Sequence, residues 1–493
     1  MTARELLSKD FPSASLPACT VTTLTDNTAR ADAHSVFVCI KGARVDGHEL
    51  AMRAYESGCR IFVAERALAL PADATVLLCD NTRKMLSRLA CRFYGHPSRQ
   101  MHVIGITGTK GKTTTAQLLS HVLNQNGIPC GYIGTNGITY GGVTQKTLNT
   151  TPDPCTLQSA LRDMHTAGMR AVVIEVSSQA LMQARADGTH FETVLFTNLA
   201  LDHVGTYEHA SFEDYAACKK RLFTEFDAQN VLWNTDDPHT PYMQANCKIP
   251  RQINCSASTS ADCTATNITP YRTHTSAGIA FTYTAHGVQT SCTLSLVGRC
   301  NVSNALLAVA TATEIFGISP ARACAPLFEC AVDGRSEWIS LPNGAAVVID
   351  YAHNGESLCQ ILTSLREYAP NRLITLFGSV GERSQLRRAE LGRVAAELSD
   401  LCILTSDNPG CEDPEAIIRE IAAALKPHKT PYHTVTDRRE AIEFALALTQ
   451  KGDILLLAGK GHEAYQLIGR EKLPFSEREI VSHYIQGAPS AIQ

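Results

Sequence analysis

No stretch of this chain is long and apolar enough to cross a bilayer as a helix. Runs such as Asp453-Ile-Leu-Leu-Leu-Ala-Gly459 fall far short of the ~20 residues a span requires. The start, Met1-Thr-Ala-Arg-Glu-Leu-Leu, has no basic segment leading into an apolar one. No secretory leader is therefore expected, and a cytoplasmic protein is. Basic residues are not in excess: 44 Lys and Arg face 48 Asp and Glu. Nothing in that balance suggests a nucleic-acid partner. The 18 cysteines contain no C-x-x-C pair, which removes the usual zinc and dithiol signatures; reduced thiols serving as small hydrophobes are expected. There is no fixed-period repeat and no heptad run.

What is present is length and alternation. A chain of 493 residues is too long for one core and suggests about three domains. Short apolar strands are expected at Ser35–Ile40 and Cys59–Ala64, followed by a helix and the turn-rich exit Phe93-Tyr-Gly-His-Pro-Ser98. A strand at His102–Thr107, a Gly-rich loop and a helix from Thr113 to Asn126 come next, with further strands at 171–176, 193–197 and 230–234. The polar segment 255–263 reads as a loop or edge. A second run places strands at 372–377, 401–406, 432–435 and 454–458 between helices at 385–399, 414–426 and 439–450. Such alternation specifies mostly parallel sheets covered by helices. The expected class is α/β with three domains: a small N-terminal α/β domain over 1–100, a central P-loop-type domain over 101–335, and a C-terminal Rossmann-like doubly wound domain over 336–493.

Chemistry concentrates at the ends of those strands. Gly108-Thr109-Lys110-Gly111-Lys112-Thr113-Thr114 joins a strand to a helix. Glycines let successive N–H groups and the helix N-terminus surround phosphate, Lys112 reaches the terminal phosphates, and the Thr113 hydroxyl suits Mg²⁺. Ile106 stands where the general P-loop has its first glycine, and a surface Lys-Gly-Lys turn is the alternative. Glu175-Val-Ser-Ser178 ends one strand and Asn198-Leu-Ala-Leu-Asp-His203 follows the next. Ligands of α/β sheets gather at carboxyl ends of strands, so Glu175 and His203 are expected beside the loop. By itself, Lys219, next to Lys220 and Arg221, reads as part of a solvated helix face.

These residues together resemble the Mur ligases. The loop is similar to their G-T-N/K-G-K-T-T, shared with folylpolyglutamate synthases. The resemblance implies ATP-dependent formation of an acyl phosphate that an amine then attacks. Tyr215-Ala-Ala-Cys-Lys219-Lys-Arg-Leu-Phe223 resembles Y-x-x-A-K-x-x-L-F, whose lysine carries CO₂ as a carbamate and helps hold a second Mg²⁺. Two Mg²⁺ ions held by Thr113, Glu175, His203 and carbamoylated Lys219 are thus implied. Asn301 and Asn304 match the adenine segment, Arg335 a phosphate contact, and Asp350 with His353 the D-Y-A-H signature near the nucleotide. Asn149, Thr150, Thr151, Ser177 and Arg185 match the segments that hold a UDP-N-acetylmuramoyl dipeptide. Gly42-Ala-Arg-Val-Asp-Gly-His48 resembles the G-x-x-x-D-G-H near the uridine. The sequence departs from the family at Gln179, where a His is usual, and at Asp26-Asn-Thr28, where D-S-R is usual. The loop after His203 is also longer than usual, and His209 stands in the place of the second histidine. Loss of catalysis in a nucleotide-binding scaffold is the non-enzymatic alternative.

The C-terminal motifs resemble the tripeptide-synthetase branch: Ser406-Asp-Asn-Pro-Gly-Cys-Glu-Asp-Pro414, Gly459-Lys-Gly-His-Glu463 with Tyr465-Gln466, and Phe475-Ser-Glu-Arg-Glu479. Gly378 to Arg383, Asp407-Asn408 and Gly459 to Glu463 each follow an expected strand and should line one crevice. Two acids, Asp407 and Glu463, with Arg383 for an α-carboxylate, suit a free diamino acid; Asp407 before Pro409 also reads as a helix cap. Branch members that use meso-diaminopimelate carry D-N-P-R, and here Gly410 replaces the arginine. L-lysine or L-ornithine is therefore expected over meso-diaminopimelate, unless Arg387 or Arg388 supplies the missing cation. The alternative is a meso-diaminopimelate ligase, or another Mur or folylpolyglutamate-type ligase. No membrane partner and a monomer are expected.

Overall fold

The computed structural model describes residues 1–42, 45–201, 209–273, 276–382 and 385–487. Two expected site residues, His203 and Arg383, lie outside the described residues. The chain forms two compact units, Met1–Cys255 and Ser256–Gln493.

The first unit begins with a four-stranded parallel sheet in sequence order: β1 (Thr23–Thr25), β2 (Ser35–Val38), β3 (Ile61–Ala64) and β4 (Thr75–Leu78). Every residue of β2 and β3 is buried, which explains their unbroken apolar sequences. One face packs Val36, Val38, Ile61 and Val63 against Leu86, Leu89 and Ala90 of helix Thr82–Phe93; the other packs Phe37 and Phe62 against Ala51 and Ala54.

The second sheet of this unit contains β5 (His102–Thr107), β6 (Cys130–Gly134), β7 (Gly137–Tyr140), β8 (Val143–Gln145), β9 (Ala171–Glu175), β10 (Thr193–Phe196), β11 (Asn230–Asn234) and β12 (Arg251–Ser256). Their order is β12-β11-β10-β5-β9-β6-β7-β8. Pairing is parallel from β12 to β6, and β6–β7–β8 is an antiparallel tail. Sequence reading missed that tail because β8 is wholly exposed and carries no burial pattern. Strand β5 is central, with β9 and β10 on either side. The register sets Ile106 beside Glu175 and Thr107 beside Phe196, so the loop after β5 and the ends of β9 and β10 must meet.

The second unit opens with an antiparallel set, β13 (Cys263–Arg272), β14 (Ala277–Ala285) and β15 (Val288–Leu294), which the sequence reading left unassigned. A six-stranded sheet follows: β16 (Glu337–Ser340), β17 (Ala346–Asp350), β18 (Leu373–Phe377), β19 (Leu401–Leu404), β20 (Tyr432–Thr434) and β21 (Ile454–Ala458), ordered β16-β17-β21-β18-β19-β20. Only the edge strand β16 is antiparallel. A hairpin, β22 (Tyr465–Ile468) with β23 (Glu471–Pro474), forms a separate two-stranded sheet. The antiparallel set joins this unit through packing: Ala277 and Val297 share an apolar cluster with Val348, Leu358 and Tyr368, and the Tyr368 hydroxyl donates to the Gly278 carbonyl at 2.8 Å.

Cys292 and Cys324 form a disulfide, unlike the all-thiol expectation, while the other described cysteines are free. Among the described residues no helix is long and apolar enough to cross a membrane.

Candidate active site

The loop after β5 needs its glycines for space. Gly108 has φ +152°, and a Cβ there would lie 1.9 Å from Thr197 Oγ1. Gly111, at φ +82°, caps helix Lys112–Gln125 in the left-handed region. Neighbouring strand ends hold the loop: Asn198 Oδ1 accepts from the Lys110 N–H at 2.9 Å, and the Thr197 hydroxyl donates to the Lys110 carbonyl at 2.7 Å. Lys112 Nζ folds over the loop to the carbonyls of Gly108 (2.8 Å) and Thr109 (3.0 Å).

The fully buried Glu175 carboxylate accepts from the Thr113 hydroxyl at 2.9 Å, from the Thr135 N–H at 3.0 Å and from the Tyr132 hydroxyl. Burial, followed by the Glu175 charge, pushes the Tyr132 phenol well up, so it remains a donor. Lys219, read from sequence as a solvated face unless the motif held, is buried. Its Nζ donates to the Gly108 carbonyl at 2.7 Å and lies 4.5 Å from the centre of the Tyr215 ring. The Tyr215 hydroxyl reaches Thr109 Oγ1 at 3.1 Å. His209 is buried with Nδ1 3.2 Å from Asp214, and among the described residues Nε2 has no hydrogen-bond partner. The structure thus brings Lys112, Thr113, Glu175 and Lys219 to one end of the sheet.

A second set adjoins it. The Thr151 hydroxyl donates to the Glu175 carbonyl at 2.7 Å and accepts from the Ser177 N–H at 3.0 Å; Thr150 and Thr135 hydroxyls are 3.1 Å apart. Arg185 donates to the Thr151 carbonyl at 3.0 Å and to Gln183. Asn149 is exposed and Gln179 half-buried. Asp26 lies within electrostatic reach of Asp153, Arg83 and Arg30, and burial raises its pKa. The Asn27 side chain caps the short turn Thr28–Arg30. In the G-x-x-x-D-G-H segment both ring nitrogens of His48 serve the fold. Nδ1 is 2.7 Å from Asp46, and Nε2 accepts from the Glu65 N–H at 3.0 Å. The His48 backbone N–H, which donates to Asp46 Oδ1 at 2.9 Å, and then the His48 ring hold the Asp46 carboxyl down at about 2.

In the second unit, Asn304 donates to Asn301 Oδ1 at 3.0 Å, and Asn301 donates to the Val297 carbonyl at 2.8 Å and to Ser336 Oγ at 3.5 Å. Asp350 accepts from the Ser336 N–H at 2.7 Å, and burial raises its pKa against the pull of Arg335. The Arg335 guanidinium lies 4.8 Å from the Tyr351 ring centre, and His353 Nδ1 is 2.8 Å from the Tyr351 carbonyl.

Around the C-terminal sheet, Asp407 and Asn408 follow β19, and Gly459 to Glu463 follow β21. Gly459 has φ +114°, and a Cβ there would lie 2.7 Å from Asp407 Oδ2. Asn408 Nδ2 donates to Glu463 Oε2 at 2.9 Å, and the Gly381 N–H, after β18, donates to the Asn408 carbonyl at 2.9 Å. The three segments therefore meet at the carboxyl ends of their strands. Asp407 is not a helix cap: Asp413 caps helix Pro414–Leu425. Burial, then the Glu463 charge, pushes the Tyr351 phenol up to about 12.

Sequence reading missed Lys460, whose side chain is fully buried between Asp407, Asn408 and Glu463, and the Arg438–Glu477 pair behind them. A lysine between two glycines at a strand end was the available signal for the first. Nothing local marks Arg438. Among the described residues no group of three or more His, Cys, Asp or Glu is placed to hold a metal.

Three family models match in order: "Mur ligase family, catalytic domain" at residues 22–94, "Mur ligase middle domain" at 106–312, and "Mur ligase, glutamate ligase domain" at 334–461. The UDP-N-acetylmuramoyl-L-alanyl-D-glutamate–2,6-diaminopimelate ligase of Geobacillus thermodenitrificans is 36% identical over 90% of this chain and 91% of its own. The ligase of the same name from Bacillus cereus is 34% identical over 97% and 96%. A solved structure of a ligase with that name superposes with a TM-score of 0.73 at 27% identity, covering 99% of both chains. The chain belongs to the Mur ligase family of ATP-dependent, ADP-forming ligases, in its tripeptide-synthetase branch.

Proposed function

We propose that this ligase joins a free diamino acid to UDP-N-acetylmuramoyl-L-alanyl-D-glutamate in peptidoglycan synthesis. ATP phosphorylates the γ-carboxylate of the D-Glu residue, the amine attacks the acyl phosphate, and ADP and phosphate leave. The observation that carries this reading is the meeting of Asp407, Asn408 and Glu463 at the carboxyl ends of the C-terminal sheet, a polar cluster suited to an amino acid.

In this reading residues 1–100 bind the uridine nucleotide, 101–335 form the ATP-binding ligase domain, and 336–493 receive the amino acid. Gly108 to Thr114 cradle the ATP phosphates, with Lys112 against the charge that develops on the transferring phosphoryl group. Asn301, Asn304, Arg335, Asp350 and His353 contact the nucleotide. Asn149, Thr150, Thr151, Ser177 and Arg185 hold the muramoyl peptide; the Arg185 fork suits its carboxylates. The oxygens of Thr113 and Glu175, 2.9 Å apart, fit Mg²⁺, which takes one or two carboxylates and fills its remaining positions with water and phosphate. His203 and a carbamate on Lys219 would complete a two-ion site, whose contribution is neutralisation of phosphoryl charge. The protein is a cytoplasmic monomer without nucleic-acid or membrane partners.

The names of the relatives favour meso-diaminopimelate as the amino acid, against the lysine or ornithine preference read from the sequence. One observation favours the second reading. Gly410, in place of the arginine, has φ +60°, and a Cβ there would face the Glu382 carboxylate at 3.5–3.7 Å. Arg388 cannot substitute cheaply, because its buried guanidinium is committed to Glu412 and Glu420. An unpaired distal carboxylate would cost several kcal/mol. Parallel kcat/KM values for meso-diaminopimelate, L-lysine and L-ornithine, with ADP release and product mass as readouts, decide between them. Ligation of none of the three would overturn the proposed function.

A further inference from the structure

We infer that Lys460 is a positioning residue for the incoming amino acid, an inference that rests on the proposed role of the cluster at Asp407, Asn408 and Glu463. Its ammonium is fully buried, 2.9 Å from Asn408 Oδ1, 3.0 Å from Glu463 Oε2 and 3.7 Å from Asp407 Oδ1. One cation thus ties together two segments that follow different strands.

The hydrogen bonds determine which way each partner points. Asn408 Oδ1 accepts from Lys460 and also from the Leu467 N–H at 2.9 Å. Two donors on that oxygen leave the amide one orientation, with Nδ2 donating to Glu463 Oε2 at 2.9 Å. Glu463 Oε2 consequently holds two donors, Lys460 and Asn408, and among the described residues Oε1 has only the Tyr351 hydroxyl at a long 3.5 Å. The carboxylate is oriented by one oxygen and presents the other.

Charge follows the same logic. Asp407 and Glu463 carry two negative charges and Lys460 one positive, so the trio keeps a single net negative charge. The Arg438–Glu477 pair behind it is neutral as a unit. That leaves an environment for one ammonium group, the feature common to every diamino acid considered. Without Lys460, the buried Asp407 and the half-buried Glu463 would lose the cation that lies against both, and Glu463 Oε2 would keep a single donor, the Asn408 amide. The amino acid would then meet a misaligned site, and the ATP and nucleotide sites would not change.

The test uses Lys460→Met and Lys460→Gln in the full chain, with whichever diamino acid the wild type ligates best. Each substrate is varied at saturating levels of the other two. The expected result is an amino-acid KM raised by about 30-fold or more in Lys460→Met, with kcat and the other two KM values within about threefold of wild type. Lys460→Gln, which still offers an amide donor, should fall between; it also carries the test if Lys460→Met does not fold. An amino-acid KM within about threefold of wild type in a folded variant overturns the role, as does a parallel rise of all three KM values, which marks general loosening. Wild-type protein that ligates no diamino acid overturns the proposed function itself, and is distinct from either outcome.

Discussion

Replacing Arg438 by Met should destabilise the C-terminal part of the protein severely, and replacing Glu477 at the same time should restore much of the loss. Both side chains are wholly buried; Arg438 Nη2 and Nε reach Glu477 Oε1 at 2.8 and 3.0 Å. Arg438 also donates to the carbonyls of Ala458 (2.8 Å) and Ser406 (3.3 Å), the residues just before Gly459 and Asp407. Burial already raises the Glu477 pKa despite the arginine, and among the described residues its Oε2 has no hydrogen-bond partner. Removing one member of a buried pair leaves an uncompensated charge and costs about 3–5 kcal/mol. With about 2–4 °C lost per kcal/mol in domains of this size, a loss near 4 kcal/mol lowers the midpoint by about 8–16 °C. Arg438→Met/Glu477→Met removes the charge altogether, and such apolar replacements are commonly neutral or stabilising. The two carbonyls remain without their donor, so about 1–3 kcal/mol of the loss should persist. Calorimetry on the full chain, following the transition that moves, is the assay. The chain has two compact units, so that midpoint rather than one global free energy is the meaningful quantity. A shift below about 2 °C in the single variant, or a double variant no better than the single, would refute the reasoning.

Three further outcomes are expected. Lys112→Ala should slow ligation by about 10²-fold or more, ~3 kcal/mol of transition-state stabilisation, and a loss under about tenfold in single-turnover rates would count against its phosphate role. Lys219→Ala should nearly abolish ligation with the fold intact, since Lys112 still donates to the Gly108 carbonyl that both lysines share; a short carboxylic acid at high concentration should partly restore turnover, and near-normal activity without it would rule the carbamate out. Gly459→Ala must place a Cβ against Asp407 at φ +114°, a strain of about 1–3 kcal/mol. It should raise the amino-acid KM more than that for ATP, which steady-state kinetics will show.

Sequence alone determined the parts whose cause is local. A strand such as His102–Thr107, buried from its second residue onward, betrays itself by unbroken apolar sequence, and the glycines after it announce a turn that only they permit. Family-like spacing then marked Lys112, Glu175, Lys219, Asp407 and Glu463 as candidates. It could not say that Lys219 lies buried against the Gly108 carbonyl, because a helix bearing Lys219, Lys220 and Arg221 reads as solvated until its packing is known. It attached β13 to β15 to no sheet, because antiparallel edges with partly exposed faces leave a weak pattern. It offered no reason to single out Arg438, whose partner is far along the chain. Lys460 was legible as a motif letter but not as a buried cation between two acids. Buried charges are positioned by partners brought together from distant strand ends, and only the tertiary fold supplies those partners.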